Sequence, residues 1–394
     1  MKKLFTIVVV FWSYFAHSNE YLSIIQWQKT IGGNEDDFLY ESIKTSDGGF
    51  LLGGYSRSGI SGNKTEINKG AADFWIVKVD KIGEIDWQKS IGGAENDVLY
   101  SMIQTPDGGY LLGGNSYSNI SGDKTDNSKG STDIWIIKLD NSGNIEWQKT
   151  IGGDKEDFSY SVLNASGGGY IIAGNSNSNI SGDKTENSIS NSNDFWVLKI
   201  NNQGEIIWQN TIGGSGDDGL KNISNTQDGG YIISSASNSP QSFDKSENIR
   251  GFYDYWIVKL DSLGTIEWDK TIGGSGNDAW TDIKQTSDLG YILAGSSKSN
   301  ISGEKTENSF ETRYFDYWVL KLSSQGDIQW QKTIGGTGSE ELHKIIQTND
   351  NGYILSGFSN SPISGNKTEI SNGGSDYYIV KLNETGNIEW QKSY

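Results

Sequence analysis

The chain has 394 residues, 51 glycines, three prolines and no cysteine, with 14 Trp, 19 Tyr and 13 Phe and a formal charge of −18. An aromatic share of 12% excludes a solvated low-complexity chain. The missing cysteines exclude disulfides and a lipid-modified cysteine, and the acidic balance repels nucleic acid and anionic lipid. The acidity serves either solubility or the attraction of cations and cationic partners.

Residues 1–18 read MKKLFTIVVVFWSYFAHS, with Lys2 and Lys3 ahead of an apolar run and small residues Ala16 and Ser18 at its end. This pattern predicts a signal peptide cleaved after Ser18 and so a secreted, extracellular or cell-surface protein, with the periplasm as a further destination. The run is shorter than the roughly 20 residues of a membrane span, and no later segment resembles one. Removing Lys2 and Lys3 takes the charge from −18 to about −20.

Trp27, Trp87, Trp147, Trp208, Trp268, Trp330 and Trp390 each open a W-(Q/D)-(K/N) tripeptide, at spacings of 60, 60, 61, 60, 62 and 60 residues. Such a period marks a repeat architecture, with units at 34–93, 94–153, 154–214, 215–274, 275–336 and 337–394 in one domain over 19–394. In the second unit, 99–105 predicts a strand, Pro106 to Gly109 a tight turn and 110–116 a second strand. A polar loop of about 16 residues leads to a third strand at 133–140, and Asn141 to Asn144 turns the chain into a fourth at 145–151.

In the third strand Trp135, Ile137 and Leu139 alternate with Ile134, Ile136 and Lys138, so both faces are largely apolar and both must be covered. A lone four-stranded sheet cannot do this. Radial stacking can, which predicts an all-β, six-bladed β-propeller of four-stranded antiparallel blades, one per repeat.

The hairpin ending in Gly-Gly, as at Gly53-Gly54 and Gly113-Gly114, with an aromatic third strand and a Trp in the fourth, resembles the kelch pattern. The stretch from Asp140 through Gly143 to Trp147 is similar to the tryptophan-docking motif of quinoprotein blades, one residue shorter before its glycine. As a whole unit the repeat most resembles the delta-60-type propeller repeats of secreted Bacteroidetes surface proteins, over about residues 24–394. The resemblance implies architecture and leaves function open.

There are six hairpins but seven Trp strands. The seven tryptophans are expected as structural staples, each buried in packing. Trp390 is contiguous with its own unit, which predicts the regular fourth strand of the sixth blade. Trp27 is then expected to pack against that blade as an additional outer strand or clasp. The hairpins should lie inside and the Trp strands towards the rim.

The long loops repeat I-S-G-x-K-T-(E/D)-N, with Lys64, Lys124, Lys184, Lys245, Lys305 and Lys367 each two residues before an acid. Two readings stand: an exposed ion pair that orders the loop, or a set of loops for a ligand. Arg57, Arg250 and Arg313 lie in the same loops and join the candidate ligand-binding residues. The inter-blade links place Asp37, Asp97, Asp157, Asp218 and Asp278 after Gly-Gly; each either caps its turn or lends an oxygen to calcium. No cofactor beyond such a calcium ion is expected.

His343 is the one histidine left after processing and has no nucleophile motif nearby. The near-identity of the units argues against catalysis, although the fourth departs, with Ser234, Ser235 and Phe243. A non-catalytic binding or adhesion module, monomeric and directed at a protein or glycan, is the expected function. A carbohydrate-active hydrolase is the alternative, since carboxylates are abundant.

Overall fold

A computed structural model describes residues 5–13 and 22–394, with side chains from Trp27 onward. The predicted cleavage point after Ser18 lies outside the described residues. β1 (Phe5–Ser13) pairs antiparallel with β2 (Leu22–Ile31). Six four-stranded sheets follow, each ordered as the chain runs.

The first sheet holds β3 (Asp37–Lys44), β4 (Phe50–Ser56), β5 (Asp73–Val79) and β6 (Ile85–Ile91). The second holds β7 (Asp97–Gln104), β8 (Tyr110–Ser116), β9 (Asp133–Leu139) and β10 (Ile145–Ile151). The third comprises β11 (Asp157–Asn164), β12 (Tyr170–Ser176), β13 (Asp194–Ile200) and β14 (Ile206–Ile212). In the fourth are β15 (Asp218–Asn225), β16 (Tyr231–Ser237), β17 (Asp254–Leu260) and β18 (Ile266–Ile272). The fifth contains β19 (Asp278–Gln285), β20 (Tyr291–Ser297), β21 (Asp316–Leu322) and β22 (Ile328–Ile334). The sixth ends the chain with β23 (Glu340–Gln347), β24 (Tyr353–Ser359), β25 (Asp376–Leu382) and β26 (Ile388–Ser393).

The chain is thus all-β, with six antiparallel four-stranded blades of the β-propeller class. It divides into two compact units, Met1–Asn164 with Ser178–Lys184, and Ala165–Asn177 with Thr185–Tyr394. Among the described residues no helix is long and apolar enough to cross a membrane.

Turn chemistry sets each hairpin. Gly48 takes φ +86°, while Asp47 Oδ1 accepts from Thr45 Oγ1 at 2.5 Å and from Gly49 N at 3.0 Å. The alternation of the third strand then decides the packing. In the first unit, Phe74 and Ile76 face the second sheet, where they meet Leu99, Leu112 and Trp135. Trp75, Val77 and Val79 face the other way, against Trp27 and Ile31. In the second unit, Tyr255 and Ile257 of the fourth sheet meet Ile283, Leu293 and Trp318 of the fifth. First strands of neighbouring sheets lie side by side, as β3 with β7 and β15 with β19, while the Trp strands are half-exposed.

One expectation about tryptophan changes. The fully buried indoles are those of the third strands, Trp75, Trp135, Trp196, Trp256 and Trp318, whereas the seven repeat tryptophans are half-buried. Trp87, Trp208, Trp268 and Trp330 each dock on the turn glycine of the following sheet: Gly143, Gly264, Gly326 and Gly386.

The terminal strands also differ in part. β26 is the fourth strand of the sixth sheet, as expected. β2 is not a fifth strand of that sheet: it pairs with β1, and Trp27 docks on the first sheet against Gly83, with Nε1 donating to Lys81 O at 3.1 Å. The reason is the docking rule itself, because the tryptophans dock on glycines of the turns between third and fourth strands, and the β5–β6 turn is the first of these along the chain.

Candidate functional site

Long loops and Gly-Gly links share one end of each sheet, and each loop folds onto the link before it. Asn63 N donates to Gly32 O at 2.9 Å and Asn34 N to Ser61 Oγ at 3.0 Å. This buries the loop lysines. Lys64, Lys124, Lys184, Lys245, Lys305 and Lys367 are at most 2% exposed, so they do not stand on the loop surface as expected.

The ammonium groups of Lys64, Lys124, Lys245, Lys305 and Lys367 instead sit over the third-strand ring, at 5.7 Å for Lys64 and Trp75, 4.9 Å for Lys305 and Trp318, and 5.4 Å for Lys367 and Tyr378. Lys64 Nζ donates to Ser90 Oγ at 2.9 Å and to Glu66 main-chain O at 3.0 Å, so the paired acid contributes its carbonyl, not its carboxylate. Burial brings the Lys64 and Lys245 pKa values down to about 8, against the opposing pull of Asp73 and Asp37 on Lys64 and of Asp218 and Asp254 on Lys245.

The link aspartates cap their turns. Asp37 Oδ2 accepts from Gly33 N at 2.6 Å, and its Oδ1 from Ser56 Oγ at 2.5 Å. Asp97, Asp157, Asp218 and Asp278 repeat the Gly N–H and add a serine hydroxyl at 2.9 to 3.0 Å. Among the described residues no group of three or more His, Cys, Asp or Glu could hold a metal ion. A second buried carboxylate lies close by: a methyl group on Gly335 would meet Asp316 Oδ1 at 2.2 Å and Glu340 Oε2 at 2.4 Å. Burial first, and Glu340 after it, push Asp316 up to about 7; burial and Asp278 push Asp254 up to about 6.

Among what the loops expose is a large apolar side chain near each tip. Ile60, Ile120, Ile180, Ile301 and Ile363 occupy one loop-tip position and are 58% to 67% exposed. The fourth loop has Gln241 there, but Phe243 two residues on is 72% exposed. Phe243 also holds φ +49°, the left-handed conformation that Gly62, Gly122, Gly182, Gly303 and Gly365 adopt in the other loops.

The arginines serve separate contacts. Arg250 pairs with Glu304 at 2.7 Å and Glu247 at 3.2 Å, Arg313 with Glu311 at 3.4 Å, and Arg57 lies 6.0 Å from the Tyr55 ring. His343 sits where the β23–β24 register shifts; its pKa is lowered by burial, then by Lys221 and Lys344.

The short-turn end carries an arrangement that motif reading passed over. A third-strand lysine reaches the turn aspartate of its own sheet and an acid of its fourth strand. Lys259 Nζ lies 2.9 Å from Asp228 and 2.8 Å from Glu267, and Lys138 lies 3.0 Å from Asp107 and 2.9 Å from Glu146. Burial alone would raise the Asp228 pKa; hydrogen bonds from Thr226, Lys259 and Gly230 outweigh it and hold the group at about 2. The signal was a lysine recurring in an otherwise apolar strand, as in WIIKL and WIVKL.

Between the fourth and fifth sheets this end opens into a cavity of about 450 Å³ whose lining includes Asp228, Lys259, Glu267, Trp268, Leu289 and Tyr291.

No protein-family model matches the chain. The regulatory protein FlaEY of Caulobacter vibrioides is 20% identical over 391 residues, covering 89% of this chain; the chain spans 39% of that relative's length. Among solved structures, a protein of unknown function from Dyadobacter fermentans is 12% identical, with 90% of this chain and 96% of that one covered at a TM-score of 0.47. BamB from Moraxella catarrhalis is 12% identical, with 100% and 91% covered and a TM-score of 0.43.

Proposed function

We propose that this protein is an exported, monomeric, non-catalytic interaction module that takes a protein partner on the apolar tips of its long loops. The observation that carries this reading is the repeated exposure of one large apolar side chain at the same loop position, Ile60, Ile120, Ile180, Ile301 and Ile363, with Phe243 in the fourth loop. Leaving such a side chain in water is unfavourable, and its repetition on loops whose lysines are buried leaves the tips as the recognition element. Phe243 adds a left-handed backbone at φ +49° while 72% exposed, as expected of a residue kept for binding.

Export rests on the basic and apolar leader of residues 1–18. Secretion to the cell surface and an adhesive role agree with the delta-60-type, kelch-like character of the repeat, supported by the near-constant 60-residue spacing and by the docking of Trp strands on turn glycines.

The test is an array of extracellular proteins probed with the full chain, with glycoside hydrolysis followed on the same sample. Saturable binding that weakens about tenfold in Phe243→Ser or Ile301→Ser at unchanged melting temperature is expected. Binding indifferent to both substitutions, or turnover of a glycoside, overturns the reading.

A further inference from the structure

We propose that the cavity at the short-turn end, between the fourth and fifth sheets, binds a neutral sugar. This site is separate from the loop tips and rests on different residues. Its volume of about 450 Å³ suits one or two hexose rings and falls within the usual range for small-ligand sites.

The wall is aromatic and apolar. Trp268 is half-buried, with its ring centroid 5.8 Å from that of Tyr291 in an edge-to-face pair. Leu289 stands beside them, 49% exposed. It occupies the turn position that Gly48, Gly108 and Gly229 fill in other sheets, and it holds their left-handed conformation with φ +67°. A leucine there is strained and gains little from burial; Asn351 of the sixth sheet also replaces this glycine, with φ +61°, and Leu289 is the replacement that borders this cavity.

The polar groups are fixed before any ligand arrives. Lys259 Nζ clamps Asp228 and Glu267 and also donates to Leu260 O at 2.9 Å. Asp228 Oδ1 is taken by Thr226 Oγ1 and Gly230 N, whereas Lys259 engages only Oε2 of Glu267, leaving Oε1 to accept. Gln285 is pinned across the cavity, its Oε1 accepting from Gln227 N at 2.7 Å. Tyr291 is 1% exposed, and burial, then Asp228 and Glu267, push its pKa up to about 12.

Charge selects the ligand class. Two carboxylates against one lysine leave the site net negative, which disfavours phosphates, sulfates and uronates. Lys259 already fills the place between the carboxylates that a cationic ligand would seek. A ring with apolar C–H faces and many hydroxyl donors fits both the Trp268–Leu289 wall and the free acceptor.

The experiment titrates the full chain with neutral mono- and disaccharides, with sulfated and uronic sugars and alkylammonium ions as further arms, reading tryptophan fluorescence and calorimetry. Two variants use residues that the repeat itself tolerates: Leu289→Gly restores the usual turn glycine, and Glu267→Ile copies Ile207 of the third sheet. Saturable binding of a neutral sugar, weakened about tenfold by each variant and unchanged in Phe243→Ser, is expected. Binding of no neutral sugar, binding indifferent to both variants, or preference for an anionic or cationic arm overturns the proposal. Insensitivity to Phe243→Ser keeps its outcome apart from that of the loop-tip reading.

Discussion

Lys64 Nζ lies 5.7 Å from the centroid of the Trp75 indole inside the first sheet, 1% exposed, with Ser90 Oγ and Glu66 O as hydrogen-bond acceptors. The ammonium balances the buried carboxylates of Asp37 and Asp73. Lys64→Met keeps most of the volume and removes the charge, so Asp37 loses a buried countercharge and Asp73 is left with Lys69. A loss of about 3 kcal/mol in urea denaturation is expected. A loss under about 0.5 kcal/mol would show that the lysine only fills space.

The pH dependence follows from three sets of groups. Asp316 and Asp254 have folded pKa values raised to about 7 and about 6, so between pH 4 and 7 the folded chain holds protons the unfolded chain has released, and stability falls as pH rises. Asp228, Asp288 and Asp350 are lowered to about 2; their contribution is present above pH 4 and lost as pH falls through about 2. Lys64, Lys245 and Lys305, lowered to about 8, make stability rise again between pH 8 and 10. The melting temperature is therefore expected to be higher at pH 5 than at pH 7.5, and falling net charge acts in the same direction. The opposite order in a calorimetric series would contradict this account.

Gly326 holds φ +82°, and a methyl group there would meet the Trp268 ring at 2.9 Å. Gly326→Ala both strains the backbone and pushes the indole off its seat. A destabilisation of about 2 kcal/mol is expected, with faster amide exchange in β18 and β21. Gly374→Ala is the control: nothing lies within 4 Å of the added methyl.

Phe243→Gly should stabilise the fold. The left-handed backbone at φ +49° costs a non-glycine residue about 1 kcal/mol, and the exposed ring returns little. A rise of about 1 kcal/mol in unfolding free energy together with weaker partner binding is expected. Unchanged stability would mean that the loop relieves the strain by other means.

Much of this architecture is written locally. Strand periods, Asp-Gly turns and the spacing of Trp27 to Trp390 act over a few residues or one repeat, and so they determine the six four-stranded sheets and the place of β26 from the sequence alone. The candidate sites depend on distant groups. Whether Lys64 is a surface charge or a buried one depends on a link roughly 30 residues earlier that closes over it, and a lysine in a polar loop carries no local mark of that. Asp228, Glu267, Leu289 and Tyr291 become neighbours only when two sheets pack. Trp27 finds Gly83 for the same reason: a docking partner is chosen by the stacking of sheets, which is a property of burial between elements and not of any one strand.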